Sequence, residues 1–271
     1  MVRPRYELPG SLRPAGLGER RTFFSRRMDY GAAARWLRRG AGERVFALIL
    51  GRHSGIYPRR FRSLKNVPLL VEDARDPRDL RPYLVKYLPE GVYYDRNLYA
   101  SVAEARRLGL DYGRAWRSRL FLGQELAFDL DPENVDCPVH GTVAEKMRRH
   151  QGLSFCDEEF EEVRRQAADL VDELAREWRE LEAVFSGRGF HVHVFDPEAT
   201  RLTRRERARI ASRAAKRYAI DEWVTTGEMR LIRLPYSLHG MVSRVAVPVP
   251  RRDLDRFSYD DPRAIPRPTR R

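Results

Sequence analysis

Two carboxylates stand two residues apart at the end of an apolar run, Glu125-Leu-Ala-Phe-Asp-Leu-Asp131. In an extended chain residues two apart point to the same side. Asp129 and Asp131 therefore share one face, and Leu126, Phe128 and Leu130 anchor the other. Two anions on one face repel unless a cation sits between them, so the pair has the chemistry of a divalent-metal site. The plainer reading is a strand running into a polar loop. A second group follows at once. Cys137-x2-His140 is half of a tetrahedral zinc site. Cys156 with Glu159 offers a less usual second half, and His150 and Asp157 are rival fourth ligands. Two reduced cysteines in a loop are the plainer alternative, although a zinc ion would shape a segment with little core of its own.

Further on, Val184-Phe-Ser-Gly-Arg-Gly-Phe-His-Val-His-Val-Phe195 reads as strand, tight turn, strand. Gly187 and Gly189 let backbone N–H groups approach a ligand closely. Ser186 adds a hydroxyl, Arg188 a fork of donors and His191 an imidazole, together a cradle for a triphosphate. His191 and His193 share a face, so they could instead form a metal pair. Phe190, Val192, Val194 and Phe195 bury most of that strand, which makes His193 a satisfied core or supporting histidine. A third acid, Asp221, ends Ala219-Ile-Asp221. Arg230, Arg233, Ser237 and His239 then put more anion-binding groups near one strand.

These groups need elements to position them. Val45–Leu50 and Gly91–Tyr94 read as strands, and Val245–Val249 as a last short one. Arg59, Arg60 and Arg62 alternate with Phe61, which suggests a strand with a basic face or a solvated edge strand. Asp29–Arg39, Asp79–Leu88 and Asn97–Leu108 read as short helices. In the stretch Asp157–Val184, Val163, Ala167, Leu170, Val171, Leu174, Trp178 and Leu181 recur at three- and four-residue steps, the pattern of an amphipathic helix. Its acidic start complements the helix dipole. Leu202–Ile220 reads as a basic helix with Thr203 as N-cap. Residues 1–40 form a basic segment packed on the core, where Arg20, Arg21, Arg26 and Arg27 flank Phe23 and Phe24. Rings among guanidinium groups can stack on bases, or the Phe pair can lie in the core. Residues 41–250 form the main domain with an irregular insertion at about 132–160. Residues 251–271 form a Pro/Arg-rich tail, expected to be loose.

The 271 residues carry a formal net charge of +13 and a pI of about 10.2. That balance favours an anionic partner. Lysine appears only at 65, 86, 146 and 216, so the positive charge is nearly all arginine, the side chain suited to bidentate phosphate contacts. Two cysteines do not make a secreted disulfide scaffold. No apolar run is long enough to cross a bilayer and no leader is evident, so the expectation is an intracellular, cytoplasmic and nucleoid-associated protein with no membrane partner.

Taken in order, E-L-A-F-D-L-D, S-G-R-G-F-H and A-I-D-x3-T…R-L-I-R-L-P-Y-S-L-H resemble the three motifs of the archaeo-eukaryotic DNA primase small, catalytic subunit. The Cys-His…Cys segment after the first motif resembles that family's zinc-binding insertion. Gly91–Tyr99 resembles the stretch before the first motif, and Arg59–Ser63 an upstream basic strand. The resemblance covers roughly Val45–Val249. It implies an α+β fold with a mixed, antiparallel-sheet catalytic core and a zinc-bearing protrusion. It further implies a nucleotidyltransferase that starts RNA or DNA chains on single-stranded DNA from nucleoside triphosphates during DNA replication, in a primosome heterodimer with a large subunit. Asp129, Asp131 and Asp221 match the catalytic carboxylates that hold Mg2+ or Mn2+. Ser186, Arg188 and His191 match the nucleotide-phosphate motif, and Arg233 and His239 the stretch that holds the incoming nucleotide. Cys137, His140 and Cys156 match the structural zinc site, with Glu159 as the fourth ligand and His150 or Asp157 as alternatives to it.

One departure stands out. The family commonly follows S-L-H-G with Lys-Thr-Gly, whereas here the residues are Met241-Val-Ser243. A phosphate-binding ammonium is missing, and the chain is short for the family. The alternatives are an end-joining or repair polymerase of the same superfamily, and a catalytically weak nucleic-acid-binding subunit.

Overall fold

The run at 125–131 is realised as a buried strand, β6 (Leu126–Leu130). In a computed structural model, which describes residues 6–109, 118–227 and 231–266, the chain is a mixed α+β structure with antiparallel sheets. β6 lies at the edge of a four-stranded sheet ordered β12 (Val247–Val249), β7 (Leu181–Phe185), β8 (Phe190–Val194), β6. The second four-stranded sheet is ordered β2 (Leu69–Val71), β1 (Phe46–Ile49), β3 (Gly91–Asp95), β9 (Leu231–Arg233). Among the described residues there are also two short pairs: β4 (Asn97–Tyr99) with β5 (Phe121–Gln124), and β10 (Leu238–His239) with β11 (Arg244–Val245).

Alternation along β6 divides its side chains between two cores. Leu126, Phe128 and Leu130 join Phe160, Val163, Ala167 and Leu170 of the long helix that covers the first sheet. Ala127, with Val184 and Phe195, joins Phe46, Leu48, Val92 and Tyr94 of the second sheet, together with Phe24 and Trp36. Those last two come from α1 (Leu17–Arg26) and α2 (Tyr30–Leu37), the latter capped by Asp29, whose carboxylate accepts from Ala32 N at 2.7 Å. Residues at even spacing from Ala127, namely Glu125, Asp129 and Asp131, therefore turn toward the second sheet.

Glu125 fixes how the sheets meet. It is buried, and its carboxylate is held by Arg44 at 2.8 Å, by the Tyr94 hydroxyl at 2.8 Å and by His193 Nδ1 at 2.6 Å. Burial alone would raise its pKa. Arg44, His193 and Tyr94 outweigh that and hold it at about 2. Strand β3 of one sheet and strand β8 of the other are thus joined through one carboxylate.

Among the described residues the further α-helices are α3 (Arg81–Tyr87), α4 (Val102–Arg107), α5 (Val143–Arg148), α6 (Asp157–Leu174), α7 (Pro197–Thr200), α8 (Arg204–Ala215), α9 (Glu222–Thr226) and α10 (Arg251–Leu254). Several boundaries differ from the sequence expectations. Residues 59–64 form a 3-10 turn entered from Pro58, with Arg60 lying over the Phe61 ring, rather than a basic strand. Asn97–Tyr99 pairs as β4, and the helix starts only at Val102, where Ser101 caps Glu104 N. α6 stops at Leu174, well short of Val184. The Asp196 carboxylate collects the N–H groups of Arg179 and Glu180 and turns the chain into β7. Trp178 and Leu181 still pack on the same core from non-helical backbone, which is why they kept the helical period. α8 ends at Ala215 rather than Ile220, with Thr203 as N-cap as expected. The segment from Arg251 is not loose as far as it is described, since Leu254, Phe257 and Ala264 are buried. Arg230 lies outside the described residues.

The Glu125 network sets a pH dependence. A carboxyl whose folded pKa is depressed contributes stability above its unfolded value of 4.5, lost as pH falls toward about 2. Glu125→Gln is expected to cost about 3 kcal/mol at neutral pH, because Arg44 stays buried without its counter-ion. Its stability should also change less than that of wild type across the acid range. Urea melts at a series of pH values check both.

Candidate active site

Asp129 lies directly across from His191 in the β6–β8 register, and Val184 of β7 lies on the other side of His191. Asp129 Oδ1 is 3.3 Å from His191 Nε2 and is buried without a hydrogen bond. Asp131 follows on the same face, at the N-cap of the 3-10 turn Pro132–Asn134. The two side chains are 20% and 26% exposed, so the acid pair opens to solvent at a rigid strand end. Burial works against ionising Asp129, but His191, Arg188 and Arg233 prevail and its pKa is lowered. Asp131 is pushed the other way, by burial and then by the charge of Asp129.

Asp221 is brought in by its backbone. Its N–H donates to the Asp129 carbonyl at 2.9 Å, and Ile220 bridges Leu130. Its carboxylate accepts from Trp223 N at 2.9 Å as the N-cap of α9. Two of the three acids thus share a face, and the third is a backbone neighbour whose carboxylate caps its own helix. An acceptor-only group with an unbonded buried oxygen, and a second carboxyl that resists ionising beside the first, fits a hard divalent cation.

The turn between β7 and β8 is closed by Ser186 N donating to Gly189 O at 2.9 Å and Gly189 N donating to Ser186 Oγ at 3.3 Å. Gly187 has φ +109°, and an added Cβ would stand 2.6 Å from His239 Cβ. At Gly189 an added Cβ would overlap the Leu130 carbonyl oxygen. Only glycines let this turn pass between His239 and the end of β6. The guanidinium of Arg188 pairs with Glu133, lies 3.6 Å from Asp131 Oδ1 and meets the Met241 thioether at 3.9 Å. Arg233 donates to the Tyr93 hydroxyl at 2.8 Å and keeps its Nη1 buried without an acceptor. His239 is buried with Nδ1 unbonded. Burial, then Arg233, Arg188 and His53, hold its pKa well below the usual histidine value. His193 is fully buried against Trp36 and bonded to Glu125, in keeping with a supporting role.

Sequence reasoning passed over Glu133, Arg52 and His53. His53 and Ser54 donate their N–H groups to the Glu90 carboxylate at 3.1 and 2.7 Å, which fixes the loop after β1. The His53 imidazole is pushed down by burial, against the pull of Glu90, and then by Arg188, Arg52 and Arg233. The signal was present: Gly51-Arg-His-Ser-Gly55 follows an apolar strand, as the Gly-rich turn follows β7.

Ligand atoms of Cys137, His140, Cys156 and Glu159 all lie within 4.8 Å of one another. The two thiols are 3.6 Å apart and His140 Nδ1 is 2.7 Å from Glu159 Oε2. Soft sulfur with imidazole suits zinc. Of the rival fourth ligands, Asp157 is occupied by the Tyr259 hydroxyl at 2.6 Å, and His150 is exposed on a backbone with φ 57°.

An acid pair set against a glycine-built anion turn, on an α+β frame, has the ingredients of a metal-dependent site for phosphate esters. No family model matches the chain. An uncharacterized DNA primase small subunit-like protein of Archaeoglobus fulgidus is 48% identical over 260 residues, 96% of this chain and 91% of the relative. The DNA primase small subunit of Pyrobaculum calidifontis is 28% identical over 66% of this chain and 65% of its own length. That of Methanothermobacter thermautotrophicus is 28% identical over 64% of this chain and 48% of its own length. The chain belongs to the DNA primase small subunit family. No described helix is long and apolar enough to cross a membrane.

Two outcomes are expected. Purified protein should carry about one zinc per chain, and Cys137→Ser or Cys156→Ser should lose it with a lowered melting temperature, read by metal analysis and calorimetry. Gly189→Ala should destabilise the fold by about 3 kcal/mol through overpacking against Leu130, read by denaturant unfolding.

Proposed function

We propose that this chain is the catalytic subunit of a DNA primase, synthesising short RNA or DNA primers on single-stranded DNA by metal-dependent nucleotidyl transfer. The observation that carries this reading is the register that sets Asp129 opposite His191, with Asp131 on the same face and the Asp221 N–H on the Asp129 carbonyl. When bound by Asp129, Asp131 and Asp221, two Mg2+ or Mn2+ ions would supply Lewis-acid stabilisation of both the attacking 3′-oxygen and the leaving pyrophosphate. The protein's part is orientation and charge. The Ser186–Gly189 turn offers backbone N–H groups and a hydroxyl to the triphosphate. Arg188 and Arg233 neutralise its charge, and Arg188 exchanges its Glu133 contact for phosphate. His191 bonds the nucleotide from the floor, and neutral His239 adds a hydrogen bond without adding charge. The Cys137–Glu159 cluster holds a structural zinc. The partners are a primase large subunit, a single-stranded template and nucleoside triphosphates, and the net charge of +13 supports the template.

Met241 beside Arg188, where the family has an ammonium, favours a second reading in which this subunit binds nucleic acid but catalyses weakly. A priming assay on unprimed single-stranded DNA with Mg2+ or Mn2+, with and without a large subunit, separates the readings. Dinucleotide products support the primase. Extension of annealed primers alone supports an end-joining or repair polymerase, and no product with intact DNA binding supports the weak subunit. On the primase reading, Asp129→Ala should lower incorporation by about a thousandfold, the scale of several kcal/mol of metal stabilisation. DNA affinity should stay within about twofold of wild type and fall steeply with salt for both.

A further inference from the structure

In a chain whose cations are almost all arginine, one lysine is fully buried. Lys146, in α5, is 1% exposed, whereas Lys65, Lys86 and Lys216 are half-buried or exposed. Its ammonium donates to three acceptors: the Glu133 carbonyl at 3.1 Å, the Val135 carbonyl at 3.0 Å and the Glu159 carboxylate. Three acceptors converging on one point match the three donors of an ammonium, which a planar guanidinium cannot reproduce. The three acceptors also belong to two different places. Glu159 is the fourth corner of the Cys137–His140–Cys156 cluster, and its other oxygen accepts from Cys156 N at 2.8 Å. Glu133 and Val135 belong to the turn entered from Asp131, and the Glu133 carboxylate is the one that holds Arg188.

We infer that Lys146 is a positioning residue: it ties the Cys/His/Glu cluster to the turn carrying Asp131 and Glu133, and so holds the acid pair in its metal-binding geometry. The inference rests on the metal-dependent reading of Asp129 and Asp131. A bland role is available, in which Lys146 only neutralises buried Glu159. The two roles differ in what the N–H donors do. Lys146→Met removes charge and donors together. Lys146→Gln removes the charge and keeps two N–H donors on a slightly shorter stem.

The test titrates Mn2+ alone into full-length protein, with free Mn2+ followed by electron paramagnetic resonance and Asp129→Ala marking the signal that belongs to the acid pair. Bound zinc and cooperative melting are measured on each sample. Lys146→Met is expected to bind Mn2+ about tenfold more weakly at wild-type zinc content, and Lys146→Gln to recover part of the loss. Folded variants that bind Mn2+ within about twofold of wild type overturn the inference. So do Met and Gln variants that are equally weak, zinc lost in step with Mn2+, or loss of cooperative melting in both. Wild type with no Mn2+ site sensitive to Asp129→Ala sinks the polymerase reading and this inference with it, and so is told apart from a failure of Lys146 alone.

Discussion

The candidate centre hangs on the antiparallel pairing of β6 with β8. That ladder places Asp129 across from His191 and Leu130 across from Phe190, and a slip of one residue would turn the carboxylates into the apolar core and the leucines out of it. The register is held from both sides. On one face Leu126, Phe128 and Leu130 are packed under α6. On the other, Glu125 bonds His193 of β8 and Tyr94 of the second sheet. Gly189 lets the turn close down on the Leu130 carbonyl, where any side chain would hold it off.

With that register in place, charge governs the rest. Asp129 and Asp131 answer burial in opposite directions, because the first has His191 beside it and the second has the first. Around them Arg188, Arg233 and Arg52 supply a positive rim, the His53 and His239 imidazoles are held below their usual pKa, and Glu133 is set against Arg188. On the proposed reading, such a site would suit a highly charged ligand that brings its own cations. The buried Met241 thioether meets Arg188, which pairs with Glu133 and lies 3.6 Å from Asp131 Oδ1.

The Cys/His/Glu cluster belongs to the same design. It has little apolar core of its own beyond Cys137 and the flanking Phe155 and Phe160, yet it borders the turn that leaves the acid pair. The chain belongs to the DNA primase small subunit family, and the 28% identity to named subunits falls over only part of their length.

Much of this was legible in the residues themselves. Period-two alternation predicted that Asp129 and Asp131 share a face, Gly-Arg-Gly between apolar runs predicted the hairpin, and Thr203 sits where a cap belongs. These are local rules, set by backbone geometry and the spacing of apolar side chains. Where elements stop was not legible: Trp178 and Leu181 kept the helical period while Asp196, distant in sequence, captured the N–H groups that ended it. The grip of Glu133 on Arg188 and the three-way bond of Lys146 were likewise invisible. Each depends on which acceptors converge on a side chain from remote segments, and only the packed chain brings those segments within hydrogen-bond reach.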